Sequence, residues 1–401
     1  MEPERYVVLR SPGNAPTMRG GIGGFDEVRG SGFDANIELA VSTEEVASKA
    51  DIQELANDPE VVSLAPAMPL KLHEPDARHV DVEPDTSATW GVLAVGADKS
   101  PFDGEGVTVA ILDTGIDDAH PAFKGVEIVQ ADFTGEGDGD LNGHGTHCAG
   151  TVFGQDVDGL RIGVAKNVDR ALIGKVLGTN GGGSTDGIAS AIQWALDEEA
   201  NVISMSLGID YPGLVKRLEL QGFPTQLATS RALEGYRANI ELFASLAELA
   251  RTRGNLTNRA AIVIAAAGNE SKRGENPDYE IAVAPPAAAN GVVSVGALGR
   301  SDDGLTVADF SNTRPEVSGP GVGVRSAKLG GGLTAMNGTS MATPHVAGVA
   351  ALWASKALSN TGSISHSALR SQLVASGQEE DLAPPIPYSD VGTGMVQAPQ
   401  Q

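Results

Sequence analysis

The sequence predicts an α/β protein with a mostly parallel sheet and helices on both faces, preceded by a smaller domain. Continuously apolar segments such as GVTVAILDTG are typical of strands buried on both faces of a sheet. Helical patterns such as TDGIASAIQWALDEE separate these segments, and alternating strands and helices favour a parallel sheet. A proline- and acid-rich stretch over 66–88 divides the chain, which indicates a domain boundary there.

The composition of the chain argues against several classes of partner and compartment. The 401 residues are 41% hydrophobic, which is enough for a large core and a second small domain. A formal net charge of −24 argues against nucleic acid and anionic membranes as partners. The single cysteine, Cys148, excludes an intrachain disulfide. We find no signal peptide and no apolar run that could span a bilayer, so we expect a cytoplasmic protein, with secretion by an unrecognised route as the alternative.

The chain divides into three parts. Residues 1–66 contain strand-like segments and one helical segment, STEEVASKADIQELA, which starts with a Ser-x-x-Glu cap signal at Ser42. Residues 67–88 have the composition of an exposed linker that a protease could cut. Residues 89–401 form the main domain. An insertion over about 209–258 interrupts it, which we interpret as an irregular segment followed by a long amphipathic helix.

Three glycine-rich segments carry acid–base residues: Asp113 in ILDTGIDDAHP, His144 in NGHGTHCAGT and Ser340 in NGTSMATPH. A serine hydroxyl needs a base to become nucleophilic, and the base needs an acid to fix its tautomer. The chain order Asp, His, Ser is one of those found in serine proteases. We expect Pro344 in the first turn of a helix, so that Ser340 lies where free N–H groups suit a developing anion.

Each of these segments has another interpretation. Asp113 could cap a strand end, and Asp-Thr-Gly also occurs in aspartic proteases, which need a second such motif that this sequence lacks. His144 and His147 could bind a metal ion, although no HExxH pattern surrounds them. We interpret His120, His147 and His345 as structural. The three segments together favour a catalytic triad.

The same segments resemble a known family. VAILDTGID, NGHGTHCAGT and NGTSMATPHVAGVAAL look like the three signature segments of the subtilisin-like serine proteases, and Cys148 resembles the proteinase K branch. The resemblance extends through VIAAAGNES to GTGMVQAPQ near the C-terminus. It runs from about Trp90 onward, apart from the insertion. It implies a subtilisin-like fold and a serine endopeptidase that works through an acyl-enzyme intermediate.

The resemblance implies a role for each matching residue. Ser340 attacks the scissile carbonyl, and His144 takes its proton and later gives it to the leaving amine. Asp113 orients His144 and stabilises its charge. The oxyanion hole consists of the Asn269 side-chain amide and the Ser340 backbone N–H.

Peptide binding follows from the same resemblance. Two segments flank an extended substrate and pair with it through main-chain hydrogen bonds. A third segment forms a roomy pocket for the residue before the cut, for which we expect a broad preference for large apolar side chains. Glu270 beside that pocket either favours a basic residue there or is simply solvated. The assigned residues are Gly181, Gly182, Gly183, Ser206, Leu207 and Gly208 for the flanking segments, and Ala266, Ala267 and Gly268 for the pocket.

The chemistry requires no cofactor, but the resemblance raises the question of structural calcium. Ala122 stands where many relatives carry a calcium-binding aspartate. Asp156 and Asp158 remain in the following loop, in an unusual pattern for calcium binding. The set of oxygen ligands is incomplete, so calcium remains an open expectation.

The N-terminal unit resembles the family's inhibitory propeptide through its ending, ANDPEVVSLAPAMPL. This implies a ferredoxin-like α+β domain that assists folding, caps the enzyme as an intramolecular inhibitor and places its C-terminal linker in the cleft. Cleavage within 66–88 would then release the active enzyme. A permanent accessory domain is the alternative.

The leading hypothesis is therefore a self-processing zymogen of a serine endopeptidase with polypeptide substrates. A peptide acyl transferase or cyclase could use the same triad, with the insertion shielding the acyl-enzyme from water. A silent peptide-binding module is the third hypothesis, which the four intact residues Asp113, His144, Ser340 and Asn269 argue against.

Overall fold

The N-terminal unit is a small antiparallel sheet with one helix in the computed structural model, which describes residues 4–11, 39–72, 87–257 (backbone only for 254–257), 259–383 and 386–401. Its strand order is β2-β1-β3. Residues 12–38, which belong to the expected ferredoxin-like pattern, lie outside the described residues. The elements are β1 (Glu4–Arg10), β2 (Ala40–Val46), α1 (Lys49–Asn57) and β3 (Val61–Pro66).

The helix of this unit begins later than the sequence indicated. The prediction of a cap at Ser42 is wrong, because residues 42–46 pair with β1 as part of β2. The helix is instead capped by Ser48, whose side chain accepts from the Asp51 N–H. The Asp51 carboxylate accepts from the Ser48 N–H in return, which completes a capping box.

The rest of the chain alternates short strands with helices. The strands are β4 (Pro69–Leu72), β5 (Thr108–Asp113), β6 (Glu127–Asp132), β7 (Arg170–Lys175), β8 (Gly182–Ser184), β9 (Val202–Met205), β10 (Leu207–Ile209), β11 (Ile262–Ala266), β12 (Val292–Ser301), β13 (Gly304–Val307), β14 (Val317–Pro320), β15 (Val324–Ala327) and β16 (Leu333–Met336). The helices are α2 (Trp90–Ala94), α3 (His144–Phe153), α4 (Thr185–Asp197), α5 (Tyr211–Leu220), α6 (Thr225–Thr257), α7 (Thr339–Thr361), α8 (His366–Ala375) and α9 (Tyr388–Val391), with a 3₁₀ turn at Pro121–Phe123.

The central sheet confirms the predicted α/β class. Its order is β13-β12-β11-β9-β5-β7-β6, with β14 beside β12. All pairings are parallel except β12 with β13. The strand β5 is buried at every position, as expected for a strand covered on both faces. None of the helices in the described part of the chain is apolar and long enough to cross a bilayer.

Two apolar clusters cover the two faces of the sheet. One contains side chains of α3, α7 and α8. The other contains side chains of α4 and α6, and it continues without a break into the N-terminal unit through Val7 and Leu9 and into the start of the linker through Met68. Met68 is 1% exposed, and burying a side chain of this size contributes about 1.5–3 kcal/mol. The N-terminal unit is therefore packed onto the main domain by the hydrophobic effect.

The insertion is a pair of helices. The prediction of an irregular first part is wrong, because 211–220 form α5. Asp210 caps this helix by accepting from the Gly213 N–H, and Pro212 occupies its first turn. The rings of Tyr211 and Tyr236 meet edge to face at 5.7 Å and join α5 to α6.

Candidate active site

The predicted catalytic residues lie at one edge of the sheet. Asp113 is the last residue of β5, His144 is the first residue of α3, and Ser340 is the second residue of α7. Since ligands of such sheets bind beyond the carboxyl ends of the strands, this edge is where a site is expected.

Asp113 and His144 form a buried pair. Nδ1 of His144 lies 2.8 Å from Oδ1 of Asp113, and each residue is 1% exposed. Burial lowers the pKa of His144, but the charge and hydrogen bond of Asp113, together with the neighbouring Cys148, outweigh burial and raise that pKa well above 6.5. Nε2 of His144 has no hydrogen-bond partner among the described residues, so this nitrogen is available to a reacting proton.

A buried carboxylate, which the sequence analysis missed, fixes the start of α3. Asp140 accepts from the N–H of Gly143 at 2.9 Å and from the N–H and hydroxyl of Thr146 at 2.9 and 2.6 Å. It also accepts from the hydroxyl of Thr114, which follows the end of β5. The signal for it is an aspartate four residues before His144 and three before the Gly-His-Gly-Thr motif that contains it.

The predicted place of Pro344 in the first helical turn is wrong. It is the sixth residue of α7, where it cannot donate to the carbonyl of Ser340 four residues earlier. That carbonyl accepts instead from Oγ of Ser206 at 3.1 Å and from Sγ of Cys148 at 3.4 Å. The Ser340 hydroxyl in turn donates to the Ser206 carbonyl at 3.4 Å. The proline thus leaves a carbonyl that ties α7 to the strand edge and to α3.

Cys148 contacts the side chain of His144 and the backbone of Ser340. Its Sγ is 3.8 Å from Nδ1 of His144 as well as 3.4 Å from the Ser340 carbonyl. Burial raises the pKa of this thiol, so it stays protonated near neutral pH. Asp113, His144 and Cys148 also form the one group of potential metal ligands found among the described residues, with ligand atoms within 4.8 Å of one another. A metal ion bound there would coordinate the imidazole of His144, which is the candidate base.

Two N–H donors converge beside Ser340. Oδ1 of Asn269 accepts from the N–H of Thr339 at 2.9 Å and from its hydroxyl at 2.8 Å, which fixes the orientation of the amide. A carbon added to Gly338 would lie 3.1 Å from Nδ2 of Asn269 and 3.5 Å from the N–H nitrogen of Ser340. The missing side chain of Gly338 therefore leaves a space that both donors border.

The turn after β11 requires glycine. Gly268 has φ of +114°, and a Cβ there would lie 2.3 Å from Nδ2 of Asn312. Ala266 and Ala267, which precede it and were assigned to the pocket, are fully buried. Gly268 thus lets the chain turn from the buried strand directly into Asn269.

The two segments predicted to flank a substrate hold β4 between them. β4 is antiparallel to β8 on one side and to β10 on the other. The Leu72 N–H donates to the Gly181 carbonyl at 2.8 Å. The expected peptide-binding residues 181–183 and 207–208 therefore contact a strand from the chain's own predicted linker. Residues 73–86 of that linker, with the remainder of the expected processing region, lie outside the described residues.

Three other histidines of the described residues, His120, His147 and His345, make hydrogen bonds to backbone carbonyls. Nε2 of His147 lies 3.0 Å from the Val324 carbonyl, and Nδ1 of His345 lies 2.8 Å from the Met341 carbonyl. Burial lowers the pKa of His147 to about 3 and that of His345 to about 4, so both are neutral at pH 7. His120 contacts the Gly332 carbonyl in the same way.

In the loop that was considered for calcium binding, the ammonium group of Lys166 lies next to Asp156. Nζ of Lys166 lies 2.9 Å from Oδ1 of Asp156. The N–H of Gln155 donates to the carbonyl of Ala122, where an aspartate ligand was missing from the expected pattern. A lysine ammonium thus lies against the carboxylate that calcium would need.

Several known proteins have sequences similar to that of this chain. The model of the subtilase family (Peptidase_S8) matches residues 104–394, which is more than half of the chain. A thermostable alkaline protease of Halalkalibacterium halodurans is 32% identical over 76% of this chain and 70% of its own length. Subtilisin-like protease 1 of Trichophyton rubrum is 30% identical over 75% of this chain and 52% of its own length. An intracellular serine protease of Paenibacillus polymyxa is 35% identical over 62% of this chain and 67% of its own length.

The chain belongs to the subtilase family. Its class of activity is that of a serine-type endopeptidase, and its parallel sheet with flanking helices agrees with a subtilisin-like fold.

Proposed function

We propose that Asp113, His144 and Ser340 are the catalytic triad of this protease. The observation that carries the proposal is the buried 2.8 Å contact between Nδ1 of His144 and Asp113, because it leaves Nε2 as the nitrogen that can accept a proton. Nε2 removes the proton of Ser340 as its oxygen attacks the carbonyl carbon. The C–N bond then breaks, and the imidazolium donates that proton to the leaving amine. Water hydrolyses the acyl-enzyme by the same route.

The developing oxyanion is stabilised by Asn269 and Ser340. The space left by Gly338 is bordered by Nδ2 of Asn269 and by the backbone N–H of Ser340, which supports this role. Thr339 holds the amide before the substrate arrives, so little reorganisation is needed in the transition state.

The N-terminal unit acts as an intramolecular inhibitor in this proposal. Support comes from β4, which fills the position of an extended substrate between β8 and β10. Further contacts attach the N-terminal unit and the start of the linker to α4. The Met68 N–H donates to Oγ1 of Thr185 at 3.0 Å, and Arg5 forms a 2.9 Å ion pair with Asp186. Cleavage within 66–88 then yields an enzyme to which the N-terminal unit stays bound until it is released.

The substrates in this proposal are polypeptides, and the negative charge makes nucleic acid an unfavourable partner. We propose a cytoplasmic location, in keeping with the name of the intracellular relative. No cofactor takes part in the chemistry.

Intact mass measured over time, for the chain and for Ser340→Ala, tests the triad and the zymogen together. We expect the unmodified chain to lose a fragment ending within 66–88 and the variant to remain whole. A variant that matures equally well would show that another protease makes the cut. A labelled fluorophosphonate should modify Ser340, whereas a silent binding module would leave it unlabelled. An acyl transferase would give ligated rather than hydrolysed products.

A further inference from the structure

The strand in the cleft carries a lysine between two buried leucines. Leu70 and Leu72 are 3% and 7% exposed and point to the same side of β4. Lys71 points to the other side and its side chain is 38% exposed. It lies opposite Gly208 of β10 and Gly182 of β8. Its side chain therefore lies in a part of the cleft that Leu70 and Leu72 do not contact.

Two carboxylates of the main domain form ion pairs with this lysine. Nζ of Lys71 is 3.1 Å from Oε1 of Glu270 and 3.9 Å from Oδ1 of Asp210. The first residue follows Asn269, and the second directly follows β10. The two acids thus approach the lysine from separate segments that border the cleft.

Other protein groups hold both acids in place. Oε2 of Glu270 accepts from Nδ2 of Asn312 at 2.8 Å, and the Glu270 N–H donates to Oδ1 of Asn312 at 3.0 Å. Asn312 is fully buried. Oδ1 of Asp210 accepts from the Gly213 N–H at 3.2 Å as the cap of α5. Since these anchors belong to the main domain, the acids keep their positions when β4 leaves.

The strand register places the lysine relative to the nucleophile. Leu72 lies opposite Leu207, and the residue before Leu207 is Ser206, whose carbonyl accepts from the Ser340 hydroxyl. A substrate residue that follows the Leu72 position therefore meets the nucleophile. The position of Lys71 corresponds to the third residue before the cut.

We propose that Glu270 and Asp210 form a subsite that selects a lysine or arginine at the third residue before the cleaved bond. The proposal rests on the proposed function. It gives Glu270 a different role from the one considered on sequence grounds, where its neighbour was the residue directly before the cut. It also gives the insertion a part in specificity, because Asp210 is held by the first turn of α5.

Chromogenic peptide amides of the form Leu-X-Leu-Phe test the selectivity, because the reporter group fixes the cleaved bond. The enzyme is the full chain after self-processing, and X is Lys, Arg, Met or Glu. We expect kcat/KM for Lys and Arg to exceed that for Met by about fivefold, the range for partly exposed ion pairs, with Glu the poorest. Added salt should reduce the ratio of Lys to Met, since it screens exposed charges.

Variants identify the residues responsible. Glu270→Gln and Asp210→Asn should each lower the Lys-to-Met ratio, and together they should bring it to about one. Glu275→Gln is the matched control, because it removes the same charge from an exposed glutamate paired with Lys272. An unchanged ratio in the double variant, or a charge preference only at the residue directly before the cut, overturns the proposal.

A second measurement does not depend on catalysis. In the full chain with Ser340→Ala, amide hydrogen exchange of residues 70–72 reports how often β4 leaves the cleft. Lys71→Met and Glu270→Gln should each quicken this exchange about fivefold, and the double variant should be no faster than the single ones. Additive effects would overturn the ion pair. If the unmodified chain had no peptidase activity while the coupling between Lys71 and Glu270 was intact, that result would count against the proposed function and not against the ion pair.

Discussion

Asn239 on α6 gives the most direct measure of how firmly the N-terminal unit is held. Its side chain is fully buried, and Nδ2 donates to the carbonyl of Pro66 at 2.9 Å and to that of Gly235 at 2.9 Å. Pro66 is the last residue of β3, whereas Asn239 belongs to the main domain. Asn239→Ala therefore removes a hydrogen bond that joins the two units, and alanine does not weaken the helix itself.

The expected loss follows from these contacts. A net hydrogen bond contributes about 0.5–1.5 kcal/mol, and leaving the Pro66 carbonyl without a partner costs about 1–3 kcal/mol. Oδ1 of Asn239 is buried without a partner among the described residues, and the substitution removes that cost as well. The two effects partly cancel, so we expect a loss of about 1.4 kcal/mol, equivalent to tenfold weaker binding of the cleaved N-terminal fragment.

A dilution series after self-processing measures this binding. The concentration at which the peptidase reaches half of its full specific activity reports the dissociation constant of the fragment, and it should rise about tenfold in Asn239→Ala. Glu241→Ala on an exposed position of the same helix should leave it unchanged. Equal dissociation constants for the chain and for Asn239→Ala would refute the inhibitory role of this contact.

Three further predictions concern the site and its surroundings. Gly338→Ala should lower turnover per folded molecule about 100-fold, because its Cβ would lie in the space between the two proposed oxyanion donors; normal turnover would place the oxyanion elsewhere. The raised pKa of His144 puts the acid limb of the kcat/KM profile above pH 6.5, and an acid limb below pH 6.5 would contradict the pairing of His144 with Asp113. The stability that the charge of His144 contributes is complete below pH 6.5 and is lost as the pH rises through the pKa of the folded state. Chelators should leave the unfolding midpoint unchanged, whereas Lys166→Met should lower it, because the ammonium contacts Asp156 directly; a midpoint that falls with chelator would indicate a bound cation.

Short sequence motifs were enough to predict the α/β class and to select Asp113, His144 and Ser340, which the structure places at one edge of the sheet. The strand that ends in Asp113 is apolar throughout, and the residues around His144 and Ser340 are locally specific in type and order. Such features depend on neighbours in the chain, so they can be inferred without the fold. The same local reasoning placed a helix cap at Ser42 wrongly, because pairing with β1 extended the strand over it.

The tertiary structure alone decided how distant segments meet. Asp140 shows its role only when its hydrogen bonds to Thr114 and Thr146 are seen together. The position of β4 between β8 and β10 depends on strand register. The contact of Lys71 with Glu270 depends on the same register and on Asn312, which fixes the carboxylate of Glu270 in the turn after β11. The sequence determined which chemical groups are present and which elements carry them. Their partners were decided by packing, because the free energy of a contact between distant residues depends on the whole fold that brings them together.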